Sequence, residues 1–200
     1  MAANFTPTRV STDTIYNKTI PDEIFLPAVE ALSYFPDLKD VDITFAYKDR
    51  IRGSVMQAQP RILSLFVDEK ENRKYLIKIS RALLYRDGTV VPIEEVPHEA
   101  LVGWLGHELG HIMDYLERST ANIMYFGAKY LMSKKHVMQA ELTADGYAIE
   151  CGMGHLILAN KNFILENEGF EDGYKDKIRN LYMSPLQILT LQEGMEPLEN

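Results

Sequence analysis

A chain of 200 residues with 46% hydrophobic and 25% charged content has the size and balance of one soluble globular domain, with room for two lobes around a cleft. A formal net charge of -8 without any Lys/Arg cluster argues against nucleic-acid binding, and the single Cys151 excludes an intrachain disulfide and a thiolate-rich metal site. No apolar run reaches the roughly 18 residues that a membrane span needs, and MAANFTPTRVSTDT lacks the basic start and apolar core of a secretory signal, so a cytoplasmic protein is expected.

Residues 1–20 are polar and without period, and are expected as a mobile arm or a strand laid on the surface. Residues 21–36 open with Pro21 and two acids, then place Leu26, Val29, Leu32 and Phe35 at helical spacing between prolines, which predicts a first helix. From Val41 the period changes to two, with Val41, Ile43, Phe45 and Tyr47 alternating against polar or small neighbours as in a half-buried strand. Ser54 to Gln59, Ile62 to Val67 and Tyr75 to Ser80 are three further candidate strands, joined through Pro60-Arg61 and the charged run Asp68 to Lys74. Links this short favour a mainly antiparallel sheet. The last strand, Tyr75-Leu76-Ile77-Lys78-Ile79-Ser80, is expected as an open sheet edge, suited to an extended peptide because its backbone groups would be unpaired.

Arg86-Asp87-Gly88 reads as a turn, and Val96-Pro97 opens a long helix running to Arg118. Helices are predicted over Asn122 to Met132, from a Ser133 cap through Cys151, over Gly154 to Asn167 and over Tyr174 to Met183, with a last short one after Ser184-Pro185. The fold class is α+β in one domain spanning residues 1–200: the arm, a helix-plus-sheet lobe over 21–96, and a helical lobe over 97–200.

The long helix carries His107-Glu108-Leu109-Gly110-His111. Residues four apart share one helix face, so both imidazoles can reach one ion, with Glu108 beside it. Val102, Leu105, Leu109, Ile112 and Leu116 form the apolar stripe expected to face the core, whereas His107, Glu108, His111, Trp104 and Tyr115 should line a cleft. Gly103, Gly106 and Gly110 fall on a third line and predict a closely packed neighbour, because each glycine inside a helix costs about 0.5–1 kcal/mol relative to alanine.

A catalytic zinc takes three protein ligands and leaves one position open. Candidates for the third donor are Asp114, Glu117, His136, Glu141, Asp145 and His155. Asp114 and Glu117 stand where one zincin pattern has a chain-turning Gly and a third His, so that pattern fails, and a continuous helix directs both away from the ion. Glu141 is better placed, one turn before Asp145 on a separate helix whose Ala144 and Ala148 permit close approach.

The pair of motifs, HELGH followed by Glu141-Leu142-Thr143-Ala144-Asp145, resembles the gluzincin group of zinc metallopeptidases over about Pro97 to Gly152. The resemblance implies a zincin-like fold in which an edge strand aligns peptide substrate above the HELGH helix. It implies His107, His111 and Glu141 as zinc ligands, Glu108 as general base, and Asp145 as the partner of a ligand histidine. The spacing between the motifs departs from the group's best-known member, with Asn122 to Met132 filling the gap as an extra helix. Many gluzincins add a Tyr or His that hydrogen-bonds the oxyanion, and His155, Tyr174 and Tyr182 are the candidates. The expected activity is hydrolysis of peptide bonds in a peptide or protein substrate through a zinc-activated water. The alternative is a zinc-binding regulatory or interaction module with little or no turnover.

Overall fold

The computed structural model describes residues 15–49, 51 and 53–195, so the expected arm up to residue 14 lies outside it. Strands β1 (Lys18–Thr19), β2 (Asp42–Lys48), β3 (Met56–Pro60) and β4 (Lys74–Ser80) form one sheet in the order β1-β2-β4-β3. In β2 the alternation is the predicted one, Ile43 and Phe45 being buried between partly exposed neighbours. A hairpin of β5 (Ala82–Leu84) and β6 (Val90–Pro92) surrounds the expected turn, where Gly88 adopts φ 88°.

The sheet is not mainly antiparallel. β1–β2 and β2–β4 are parallel, and only β3–β4 is antiparallel. The short link after β2 leads to β3, yet β3 does not pair with β2, because β4 inserts between them. Each parallel pair thereby gains the long crossover it needs: helix α1 (Phe25–Ser33) lies between β1 and β2, and β3 with helix α2 (Ile62–Val67) lies between β2 and β4. Ile62 to Val67 is therefore a helix and not a strand. A six-residue apolar run carries no decisive period, and here Ile62, Leu63, Phe66 and Val67 are exposed while Ser64 and Leu65 are buried.

The same insertion overturns the expected substrate edge. Tyr75, Leu76, Ile77, Lys78 and Ile79 pair on one side with β2 and on the other with β3, and Ser80 pairs with β2 and gives its amide to the Val55 carbonyl, so no open edge exists along them. Among the described residues, β3 is the outer strand on that side of the sheet.

Helix α3 (His98–Glu117) runs through the centre of the molecule, with every residue from Ala100 to Ile112 buried. It packs against α1, β3, α5 (Lys134–Ala148) and α6 (Gly154–Glu166). Between α3 and α5 lies α4 (Thr120–Met132), capped by Ser119, whose side chain accepts from the Asn122 amide. Ser133 stands at the start of α5 without making the expected side-chain cap bond. The helix predicted to run through Cys151 ends at Ala148 and passes through a π-helical turn, Ile149–Met153, in which Gly152 has φ 90°. Helices α7 (Asp172–Leu181) and α8 (Pro185–Met195) complete the α+β architecture. No described helix is long and apolar enough to cross a membrane.

The glycine line of α3 faces its neighbours as predicted. A Cβ on Gly103 would collide with the Leu156 carbonyl of α6, and one on Gly110 with the Ala144 carbonyl of α5. Trp104, in contrast, is in the core, 6.5 Å from the Phe170 ring, and does not line a cleft. Gly127, on α4, has open space where its Cβ would be. Gly110→Ala is therefore expected to destabilise by about 1–3 kcal/mol through overpacking, and Gly127→Ala to stabilise by about 0.4–1 kcal/mol. Urea denaturation of the two variants measures both, and shifts of the same sign would contradict the packing described.

Candidate metal centre

His107 and His111 occupy successive turns of α3, with ring centroids 4.8 Å apart and planes at 83°. Helix α5 brings Glu141 to them because its inner side is built of Ala140, Ala144 and Ala148, all buried, against the glycine line of α3. One carboxylate oxygen, Glu141 Oε2, lies 3.0 Å from His107 Nε2 and 3.3 Å from His111 Nε2. Ligand atoms of these three buried residues all fall within 4.8 Å of one another, close enough to hold one metal ion.

A hydrogen-bonded chain extends behind them. The Nδ1 of His107 is 2.8 Å from Asp145 Oδ1, and Asp145 accepts from Lys161 Nζ at 3.1 Å and, through Oδ2, from the Met183 amide at 3.1 Å. Asp145 is fully buried and Lys161 is only 2% exposed, so each charge depends on the other for compensation. Lys161 Nζ also sits 4.2 Å above the Tyr182 ring, whose centroid is 5.3 Å from that of His107. Ahead of the cluster, Glu108 Oε2 accepts from the Ala58 amide of β3 at 2.6 Å. Tyr130 of α4 donates to Glu141 Oε1 at 2.7 Å.

Burial alone would hold His107 neutral, but the Asp145 carboxylate and the hydrogen bonds to Asp145 and Glu141 outweigh it and raise the pKa to about 9. Burial pushes Glu141 upward, yet the hydrogen bonds from His107 and His111 hold it well below the usual carboxylate range. Asp145 is likewise lowered, burial being outweighed by Lys161 and His107. Burial raises Glu108, outweighing the pull of His107 and His111 in the opposite direction. His107 thus bridges two carboxylates, Asp145 at Nδ1 and Glu141 at Nε2, and a metal ion held here would take the place of any proton on Nε2.

The donor set fits such an ion. Two imidazole nitrogens and one carboxylate oxygen converge on one point, and the Asp145 bond to Nδ1 turns the Nε2 of His107 toward it. With both imidazoles neutral, as ligation requires, the group would hold the carboxylates of Glu108, Glu141 and Asp145 against the ammonium of Lys161 alone. Divalent charge would redress that balance.

Other candidates for the third donor lie elsewhere. Arg118 grips Asp114 through two hydrogen bonds of 2.9 and 3.0 Å, and Glu117 is exposed. His136 is not part of the cluster. Among the oxyanion candidates, His155 is exposed and packs edge-on against Tyr34, away from the cluster. Tyr174 stacks on Phe170 at 5.6 Å. Tyr182, alone of the three, lines the cavity that opens at Glu108, His111 and Glu141.

That cavity has a volume of about 660 Å³. The whole of β3 borders it on one side, Ile123, Met124, Phe126 and Tyr130 of α4 on another, and Lys177 and Tyr182 also reach it. Sequence reasoning missed Tyr130, Lys161 and the Ala58 amide. Lys161 had left a signal, as a lone cation among the apolar residues of GHLILANKNFIL. No protein-family model, no curated protein and no solved structure matches the chain.

Replacing Lys161 by Met leaves Asp145 buried with one charged partner fewer. Lys161→Met is expected to destabilise the metal-free protein by about 3–5 kcal/mol, with part of the loss recovered in the Lys161→Met, Asp145→Asn double variant. Denaturant midpoints at neutral pH check this. An unchanged midpoint in the single variant would show that the pair does not compensate the burial of Asp145.

Proposed function

We propose that the chain is a zinc-dependent metallopeptidase of gluzincin type. The observation that carries this reading is the convergence of His107 Nε2, His111 Nε2 and Glu141 Oε2, with the buried carboxylate of Glu108 next to them on α3. Two imidazoles and one carboxylate form the donor set of catalytic zinc in hydrolytic enzymes, where the fourth position stays open. A zincin-like fold is supported by an outer strand, β3, running beside the HELGH helix.

Zinc held by His107, His111 and Glu141 would supply Lewis acidity, polarising a carbonyl and bringing the pKa of water toward about 7. Glu108 takes the proton from the attacking water and delivers it to the nitrogen of the departing amine. For that transfer an elevated pKa suits both halves of the task, since the same group must first accept and then release a proton. His107 is held in place by Asp145, and Asp145 by Lys161 and the Met183 amide. Tyr182 is the candidate donor to the oxyanion: burial raises its pKa well above the usual phenol value, so the hydroxyl keeps its proton.

The substrate is an extended peptide laid along β3, residues Met56–Pro60, instead of the strand expected from sequence. β3 borders the cavity with no described strand on its far side, and an added strand would be recognised by exchanging the bond from the Ala58 amide to Glu108 for one to the peptide. A second reading, a zinc-binding interaction module with little turnover, draws on the 2.6 Å bond from Ala58 to Glu108, which occupies one oxygen of the base.

Four carboxylates separate these roles. Glu108→Gln should retain zinc and fold but lose cleavage of unfolded casein, because the amide cannot take a proton. Glu141→Ala should lose zinc, and Asp145→Asn should lower metal affinity or activity by about 10- to 100-fold. Glu117→Ala should do little. Metal analysis and casein turnover of the four proteins check the set. Zinc kept by Glu141→Ala would overturn the ligand assignment, and a parent protein that holds zinc yet cleaves nothing would favour the second reading.

A further inference from the structure

We propose that Tyr130 is a positioning residue of the metal centre: its hydroxyl occupies one oxygen of Glu141, so that the carboxylate offers the metal its other oxygen alone. The proposal rests on the metal reading above and adds to it a function for α4, the helix between the two motif helices.

The two oxygens of Glu141 have different partners. Oε1 accepts from the Tyr130 hydroxyl at 2.7 Å, whereas Oε2 lies 3.0 and 3.3 Å from the ligand nitrogens of His107 and His111. A carboxylate free at both oxygens can bind a metal through one or two of them. Two-point binding would raise the coordination number and crowd the position that catalysis needs open. The phenol hydroxyl donates to Oε1 and so weakens that oxygen as a second donor to the metal.

The hydroxyl is placed by the packing of a helix. Arg118, at the end of α3, donates to Asp114 behind it and to Asn122 of α4 at 2.8 Å, while its guanidinium lies 4.2 Å over the Phe126 ring. Phe126 is one turn before Tyr130, with ring centroids 6.2 Å apart, and meets Tyr115 of α3 edge-on at 6.2 Å. The aromatic face of α4 is thus fixed to the helix that carries both histidines. Tyr130 therefore reports the position of α4 directly to the third ligand.

Tyr130→Phe keeps the ring and removes the donor, and Tyr125→Phe, on the exposed side of the same helix, serves as control. Zinc affinity measured by competition with a chromophoric chelator should fall about 10- to 100-fold in Tyr130→Phe and stay at the parent value in Tyr125→Phe. In the cobalt-substituted proteins, Tyr130→Phe should show weaker visible absorption, as expected for a higher coordination number, a change that a purely structural role for the hydroxyl would not produce. Parent-like zinc affinity together with a parent-like cobalt spectrum in Tyr130→Phe would overturn the proposal while leaving the metal centre standing. A parent chain that binds neither metal would remove the metal reading and this proposal together.

Discussion

Burying ionisable groups side by side is the constraint on which this structure turns. Glu108, Glu141 and Asp145 are each at most 4% exposed, and an isolated carboxylate at such depth would give up its charge or destabilise the fold. Each is instead given partners from a different part of the chain: Glu108 the Ala58 amide of β3, Glu141 the two histidines of α3 and Tyr130 of α4, Asp145 the Lys161 ammonium of α6 and the Met183 amide. Elements far apart in sequence are thereby tied to one point. The arrangement is costly as a structural device, since apolar side chains of similar volume would pack there without desolvating charge. The proposed metal centre would account for that cost.

Close helix packing makes the cluster geometrically attainable. The Glu141 carboxylate reaches both histidines because α5 lies against the Gly110 backbone, where a larger residue would meet the Ala144 carbonyl. Gly103 does the same for α6, which delivers Lys161 to Asp145, and Asn160 beside it donates to the Ala100 carbonyl at 3.1 Å. Stability given up at Gly103 and Gly110 is thus exchanged for the positions of Glu141 and Lys161.

Local patterns in the chain reveal the centre far better than they reveal the sheet. His107, His111, Glu141 and Asp145 were legible because helical spacing of four fixes which side chains share a face, whatever the surrounding topology. The glycine line announced its close neighbours for the same reason. Strand order is set by contacts across the chain, and nothing local to Tyr75–Ser80 tells an inner strand from an edge; its neighbours were decided by β4 inserting between β2 and β3. Ile62–Val67 failed on length, being too short for its apolar residues to display a period. Tyr130 was out of reach because its meaning depends on how α4 rotates against α5, and the Ala58 amide because a backbone donor leaves no trace in side-chain patterns.

Three side chains from two helices, His107, His111 and Glu141, form the proposed zinc centre, and zinc stoichiometry tests it most directly. Protein purified in zinc-containing, chelator-free buffer, then dialysed and analysed by inductively coupled plasma mass spectrometry, is expected to hold close to one zinc per chain. A folded protein that retains none after the same treatment would contradict the account.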